Sequence, residues 1–362
     1  MKITVFISAL SGGGAERVAC NLANYLCDFG HGVEILTIGD STSAEPLRDA
    51  IRYSPLLAKE EKRNALLDGV RRIVRLRRYM RTQKVDAYVV MLPVPILMTL
   101  GMSRLTKAPI VVSERGDPEK NTKTMKKLLR RWICRANRVV FQTETAKSWY
   151  EPYLKGAEAA VIPNAINPVF IRPKFEGERE KTIVAAGRFA VQKNFPLLIR
   201  AFSKVAAKFP EYRLVIYGKG SLLASYQDLA KELGVDDRVE FPGYVPDMPA
   251  RLERAGMFVL SSNHEGLPNA LMEAMASGLP CVSTDCSGGG ARFLIRDGEN
   301  GLLVPIGDEE ALADAMEKVL SDEALAATLG NNARKLQETL APEKIYGEWE
   351  AFIQKCGGRN KT

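Results

Sequence analysis

Short apolar runs of strand length recur along this chain, separated by stretches of helical periodicity or loop composition. An apolar run, a turn, a helix and a second run make a βαβ unit, and a chain built of such units is led toward parallel sheets covered by helices. The opening follows this pattern: Ile3 to Ile7, a glycine turn, a helix-like stretch through Leu26, then Val33 to Ile38. Runs at Ala87 to Met91, Ile110 to Val112, Arg138 to Gln142 and Ala160 to Ile162 continue the series. A second series begins at Thr182 to Ala186 and continues at Leu214 to Tyr217, Val239 to Phe241, Met257 to Leu260 and Pro280 to Ser283. It repeats the architecture but not the sequence.

At 362 residues the chain is too long for one ordinary core and suits two. Asn167 to Lys181, rich in proline and charge, marks a linker between them. The expected organisation is α/β with two Rossmann-like domains facing a cleft: residues 1–165, a linker at 166–181, residues 182–341, and a terminal helix and tail at 342–362. That last helix carries Tyr346, Trp349 and Phe352 at spacings of three, and is expected to pack back on the first domain and to bind the two together.

Hydrophobic residues at 46% and charged residues at 26% exclude a disordered chain. The longest apolar stretch, Val85 to Met102, is interrupted by Asp86 and two prolines, so it reads as strand, loop and helix rather than the roughly 20 apolar residues of a membrane span. The first residues lack a cleavage-site pattern and read as a first strand, which makes the expected location cytoplasmic. Six scattered cysteines lack the paired short spacings of zinc or redox motifs and are expected to be free thiols.

The formal charge of +8 calls for an anionic partner without naming it. Much of it sits in two amphipathic stretches. Lys62 to Lys84 sets Leu66, Val70, Ile73, Val74 and Arg77 on one helical face, with Arg71, Arg72, Arg75 and Arg78 around the other. Met125, Leu128, Leu129, Trp132 and Ile133 repeat that periodicity among Lys123, Lys126, Lys127, Arg130 and Arg131. Such helices suit an anionic membrane surface, and equally suit packing on a sheet with solvated charges. Neither stretch carries interleaved aromatic platforms, which disfavours nucleic acid.

Three segments carry candidate chemistry. Gly12, Gly13 and Gly14, followed by Arg17, stand between the first strand and its helix, where free N–H groups attract anions. A tight strand-to-helix turn explains the same glycines. Arg17 occupies the place of the third glycine of a dinucleotide fingerprint, which disfavours a dehydrogenase. The second segment, Gly187 and Arg188 followed by Lys193, ends the first strand of the second series, where ligands of doubly wound sheets bind. Two fixed cations there can neutralise a diphosphate leaving group. The third segment runs from His264 through Glu265, Gly266, Leu267, Pro268 and Asn269 to Glu273, with carboxylates suited to sugar and ribose hydroxyls.

The block EGLPNALMEAMASGLP, with GRFAVQKN before it, resembles family-4 glycosyltransferases of the GT-B fold, and the resemblance runs over nearly the whole chain. It implies an acceptor-binding first domain and a nucleotide-sugar-binding second one. Glu265 would contact the donor sugar, Glu273 the ribose hydroxyls, and Arg188 and Lys193 the diphosphate. Amides around Leu267 and Asn269 would help hold the phosphates and sugar; Pro268 has no N–H to give. The glycine loop, in its GGAER form, is similar to that of enzymes extending undecaprenyl-diphosphate-linked glycans. That likeness implies a lipid-linked acceptor and strengthens the membrane reading of the basic helices, and the family resemblance as a whole implies UDP rather than GDP.

Many family members carry a histidine after the fourth strand of the first domain, where this chain reads Ser113-Glu114-Arg115-Gly116-Asp117-Pro118. No histidine role is carried over; Glu114, Arg115 and Asp117 are candidates for sugar or acceptor contacts there, as are Arg17 and His264. The expected activity is retaining transfer of a hexose or N-acetylhexosamine from a UDP-sugar to a lipid-diphosphate-linked glycan in bacterial surface polysaccharide or glycan assembly. No cofactor and no metal are called for. A nucleotide-sugar epimerase on the same fold, or a non-catalytic sugar-nucleotide or membrane-binding protein, are the competing readings.

Overall fold

The computed structural model describes residues 1–41, 43 and 46–355. The chain forms two compact units: residues 1–165 together with the chain from Glu343 on, and residues 166–342.

The first unit is built on a seven-stranded sheet of β1 (Lys2–Ile7), β2 (Gly32–Thr37), β3 (Arg52–Pro55), β4 (Ala87–Met91), β5 (Ile110–Glu114), β6 (Arg138–Phe141) and β7 (Glu158–Val161), in the order β3-β2-β1-β4-β5-β6-β7. Every neighbouring pair is parallel. Parallel strands with helices on both faces bury both sets of side chains, which is why β4, β5 and β6 are buried throughout and read as apolar runs, with Ser113 and Glu114 closing β5 and Arg138 opening β6 as the polar exceptions. Within Val85 to Met102 the chain leaves β4, turns at Leu92 with φ 71° and enters the helix Pro93–Gly101. No helix among the described residues is long and apolar enough to cross a membrane.

The helix Pro342–Gln354 belongs to this unit from Glu343 on. Trp349 is fully buried, Ile345, Tyr346, Phe352 and Ile353 are buried beside it in sequence, His31 Nε2 lies 2.9 Å from the Glu350 carboxylate, and Arg138 donates to the Phe352 carbonyl at 2.7 Å.

The second unit carries β8 (Thr182–Ala186), β9 (Arg213–Tyr217), β10 (Val239–Gly243), β11 (Met257–Leu260), β12 (Cys281–Thr284) and β13 (Leu302–Val304), all parallel, in the order β10-β9-β8-β11-β12-β13. Residues 167–181 contain no strand, yet they are tied to this unit: Arg179 donates to the carbonyls of Glu253, Ala255 and Gly278, and Arg172 pairs with Glu253 at 2.9 Å. Both sheets reverse their strand order at one place, between β1 and β4 and between β8 and β11. Loops leaving the carboxyl ends of those strands diverge, and the crevice between them is where open α/β sheets bind ligands.

The structure separates the two basic helices. In Lys123–Trp132 the apolar residues turn inward, with Leu129 and the following Ile133 buried, while Lys123, Lys127 and Arg131 are exposed. Sheet packing with solvated charges describes it. In Ala65–Thr82 the stripe read as the apolar face is turned outward instead. This helix is held by Leu76 and Met80 in the core and by the Tyr79 hydroxyl, which donates to Glu34 at 2.7 Å and lies 2.9 Å from Thr4 Oγ1. Arg71 and Arg75 spend their guanidinium groups on the carbonyls of Glu61 and Leu56 and on the Glu61 carboxylate. Cys20, Cys27, Cys134, Cys281 and Cys286 are free thiols, and Cys356 lies outside the described residues.

Candidate active site

In the second unit, two loops leave the reversal point: one from β8, carrying Gly187 to Asn194, and one from β11, carrying Ser261 to Pro268. They are laced together. Ser261 Oγ donates to the Lys193 carbonyl at 2.9 Å, Asn263 N–H to the Gln192 carbonyl at 2.9 Å, and the amides of Asn194 and Asn263 meet at 3.0 Å. Asn194 adopts φ 45°, a left-handed conformation that asparagine tolerates better than most side chains. The result presents Lys193 to Glu265: Nζ donates to Oε1 at 2.7 Å. Ser262 Oγ donates to the same oxygen at 2.8 Å, and Gln192 Nε2 donates to Oε2 at 3.2 Å and to the His264 carbonyl at 2.9 Å. Glu265 is 8% exposed, and with three donors its charge is compensated where it stands.

Arg188 behaves differently. It is exposed, and no hydrogen bond or ion pair holds its side chain among the described residues. Its backbone is nonetheless fixed by its neighbours, because Gly187 N–H donates to the Tyr217 carbonyl at 2.9 Å, Phe189 N–H donates to the Lys219 carbonyl at 2.8 Å, and Phe189 is buried edge-on against Phe195, Tyr226 and Phe241. A rigid loop with one uncommitted guanidinium is an anion receptor that has to reorganise little when the anion arrives. The stem of Lys193 runs across Gly187, whose missing Cβ would stand 2.7 Å from Lys193 Cε.

The Glu265 loop continues into the helix Asn269–Ala276, with Pro268 ahead of its first turn. The first intrahelical bond runs from Met272 N–H to the Pro268 carbonyl at 3.1 Å, so the amides of Asn269, Ala270 and Leu271 precede it, and no acidic side chain stands in the first turn. That end carries the positive pole of the helix. Leu267 and Pro268 are buried, Asn269 opens the helix, and Glu273, 8% exposed, sits one turn further in.

Two segments that the sequence reading passed over support these loops. Gly218 and Gly220, after β9, lie so close to Gly187 and Phe189 that a Cβ on either would collide with their backbone oxygens. Ser287 to Gly290, after β12, packs on the Glu265 loop: Glu265 N–H donates to the Ser287 carbonyl at 3.0 Å, and Gly290 abuts the Gly266 carbonyl. Clustered glycines after a strand were the available signal in both places.

In the first unit, the loops after β1 and β5 both leave the carboxyl ends of the parallel strands. Gly12 has φ 101° and Gly13 precedes the helix Gly14–Asp28. Its anion-attracting end is partly used already, since the Glu16 carboxylate accepts from Gly13 N–H at 3.0 Å and from Ser11 Oγ at 3.3 Å. Arg17 lies in the first turn, its N–H donating to the Gly13 carbonyl at 3.0 Å. Glu114 ends β5 and is buried, accepting from the Tyr150 hydroxyl at 2.9 Å and from Gly116 N–H at 3.3 Å. Arg115 is buried too, donating to Ser113 Oγ at 3.3 Å and to Asn164 Oδ1, while its Nε has no partner among the described residues. Asn164 Oδ1 also accepts from Gln142 at 2.7 Å, and Asp117 accepts from Glu119 N–H at 2.9 Å. Gln142, Tyr150 and Asn164 were not singled out in sequence; only the polar residues closing β6 and β7 hinted at them.

Burial raises the Glu114 pKa above its usual value, against the opposing pull of the Tyr150 hydroxyl, the local amides and the Arg115 charge. The folded protein therefore holds this proton more tightly than the unfolded chain does. The resulting stability is present below the unfolded value of 4.5 and is lost as pH rises through the raised folded value. Glu114→Gln keeps an acceptor for Tyr150 and has no proton to lose, so its melting temperature should gain on that of the unmodified protein as pH rises above 4.5. A difference that stays constant over that range would mean that Glu114 does not titrate from a buried site.

Comparison with known proteins fits this architecture. Anabaena HepE in complex with UDP superposes with a TM-score of 0.83 over 98% of this chain and 100% of that one, at 18% identity, which makes the fold GT-B. The family described as Glycosyltransferase Family 4 matches residues 12–170, and that described as Glycosyl transferases group 1 matches residues 168–336. The lipopolysaccharide core biosynthesis glycosyltransferase LpsE of Rhizobium meliloti is 30% identical over 345 residues, 94% of each chain. The GalNAc-alpha-(1->4)-GalNAc-alpha-(1->3)-diNAcBac-PP-undecaprenol alpha-1,4-N-acetyl-D-galactosaminyltransferase of Campylobacter jejuni is 28% identical over 360 residues, 98% of each chain. The chain belongs to glycosyltransferase family 4 and is a retaining glycosyltransferase.

Proposed function

We propose that this enzyme transfers a hexose or N-acetylhexosamine from a UDP-sugar to a glycan carried on a lipid diphosphate, at the cytoplasmic face of the membrane, in the assembly of a bacterial surface polysaccharide or glycan. The observation that carries the donor half is the grouping in the second unit: an uncommitted Arg188 on a fixed loop, Lys193 held against Glu265, and a helix start free of acidic residues. Two cations and a helix amino end suit a diphosphate, whose charge grows as the sugar leaves. UDP in HepE supports the choice of nucleotide, and the undecaprenol-linked acceptor in the name of the Campylobacter relative supports the choice of acceptor.

In this reading Arg188 and Lys193 hold the diphosphate, Glu265 accepts from the donor sugar and Glu273 from the ribose. Gly187 and Gly266 let the backbone approach, and amides from Leu267 through the first turn of the helix complete the cradle. Within the first unit, Gly12 to Gly14, Arg17 and the Glu114–Asp117 loop are the candidates for phosphate, sugar or acceptor contacts. The bond from the anomeric carbon to the β-phosphate oxygen breaks while the acceptor oxygen bonds to the same face of that carbon. The acceptor proton passes to the departing phosphate oxygen. The protein contributes position and charge rather than a proton-transfer group of its own.

Mass spectrometry of undecaprenyl-diphosphate-linked acceptors incubated with a panel of UDP- and GDP-sugars tests this. A gain of one sugar from a UDP donor is expected. Epimerised donor with unchanged acceptor, or transfer from GDP-sugars alone, would overturn the reading.

A further inference from the structure

The helix Ala65–Thr82 carries an apolar surface that nothing among the described residues covers. Leu66, Leu67, Val70, Ile73 and Val74 are 80%, 48%, 53%, 49% and 58% exposed, and they are five of the thirteen exposed large hydrophobic residues among those described. Isolated exposed apolar residues need no explanation; five within nine positions on one side of a helix do. Helical spacing puts Leu66, Val70, Ile73 and Val74 on one line, and the same line continues as Arg77 and Arg81. Asp68, Leu76 and Tyr79, which face the protein, lie across the helix from that line, and Met80 is buried at its flank.

The charge around this stripe is of one sign. Lys62 and Arg63 are exposed before it, and Arg77, Arg78, Arg81 and Lys84 are exposed after it. From Lys62 to Lys84 the sole carboxylate is Asp68, which is buried and accepts from Arg63 N–H. The helix is also firmly seated through Tyr79, Arg71 and Arg75, so its outer face is held in place rather than turned in on demand. A second copy of the chain is a poor occupant, because cations would meet cations in either direction of pairing. A surface that accepts apolar side chains and supplies negative charge on both sides is the interfacial region of an anionic bilayer.

We infer that the outer face of Ala65–Thr82 is a membrane-docking surface for anionic phospholipid, with Leu66, Leu67, Val70, Ile73 and Val74 entering the headgroup boundary and Arg77, Arg78, Arg81 and Lys84 pairing with lipid phosphates. The other basic helix, Lys123–Trp132, takes no part, since its apolar residues are already used inside the unit. Docking needs neither donor nor acceptor, so it stands or falls separately from the proposed transfer reaction.

Flotation of the full chain with vesicles of phosphatidylcholine alone, or with about one third phosphatidylglycerol, tests the inference. Binding to the anionic vesicles only, released by high salt, is expected. Replacing Arg77, Arg78 and Arg81 together by Gln should weaken partitioning on the order of 100-fold. Replacing Leu66, Val70 and Val74 together by Ser should weaken it at least about tenfold. All six side chains are exposed, so both variants should keep the melting temperature of the unmodified protein. Equal binding to neutral vesicles, or undiminished binding by both variants, would overturn the inference. So would a concentration-dependent dimer that only the apolar variant loses, which would assign the face to a second copy.

Discussion

Arg188→Ala should lower the turnover of sugar transfer by about 10²- to 10³-fold and leave the melting temperature unchanged, whereas Lys193→Ala should lower both. The difference follows from what each cation touches. Arg188 is exposed and its side chain is held by no hydrogen bond or ion pair among the described residues, so its loss removes only what it does for an arriving ligand. Lys193 donates to a Glu265 carboxylate that is nearly buried, and without it that carboxylate keeps only Ser262 and Gln192. A nearly buried carboxylate stripped of its cation costs on the order of 3 kcal/mol, with Ser262 and Gln192 offsetting part of it. Transfer rates, UDP affinity and thermal unfolding of the two variants separate the effects. If Arg188→Ala kept more than about a tenth of the rate, the guanidinium would not be a main stabiliser of the leaving diphosphate.

Docking and chemistry then draw on different residues of the chain. The proposed donor cradle is made by loops leaving β8 and β11 in the second unit, and the docking face lies on a helix of the first. Substitutions at Arg188 should leave vesicle binding intact, and substitutions at Arg77, Arg78 and Arg81 should leave UDP affinity intact.

Most of the fold was legible because parallel strands buried on both faces leave continuous apolar runs. Two strands escaped the sequence reading, and both are sheet edges: β3 is the four-residue RYSP, polar and ending in proline, and β13 is only three residues long. An edge strand needs one partner and half the burial, so it writes little into the sequence. The donor loops were legible through their charged motifs, whereas Gly218, Gly220 and Ser287 to Gly290 act through the space they leave empty, and an absent Cβ does not announce its neighbour. Gln142 and Asn164 around Arg115 come from separate strand ends, so only the closed sheet unites them. In Ala65–Thr82 the apolar stripe was found correctly, but periodicity does not say which side of a helix is covered. Here Leu76, Tyr79 and Met80 anchor the helix and the more conspicuous stripe is left outside.

Gly290→Ala should unfold the protein several degrees early and weaken UDP binding in the same variant. A Cβ at Gly290 would sit on the Gly266 carbonyl oxygen and 2.7 Å from Pro268 Cδ. Neither neighbour is the free end of a flexible side chain, so backbone must move, at a cost of roughly 1–3 kcal/mol or more. The backbone that moves is the stretch from Glu265 to Pro268, which aims Glu265 and starts the helix Asn269–Ala276. Stability and donor affinity therefore fall together. Gly69→Ala is the matched control: it lies inside a helix with open space where its Cβ would stand, and it should be neutral or stabilising by up to about 1 kcal/mol. If Gly290→Ala lost stability but bound UDP normally, the contact would be a packing device alone, and the amides beginning at Asn269 would not be part of the donor cradle.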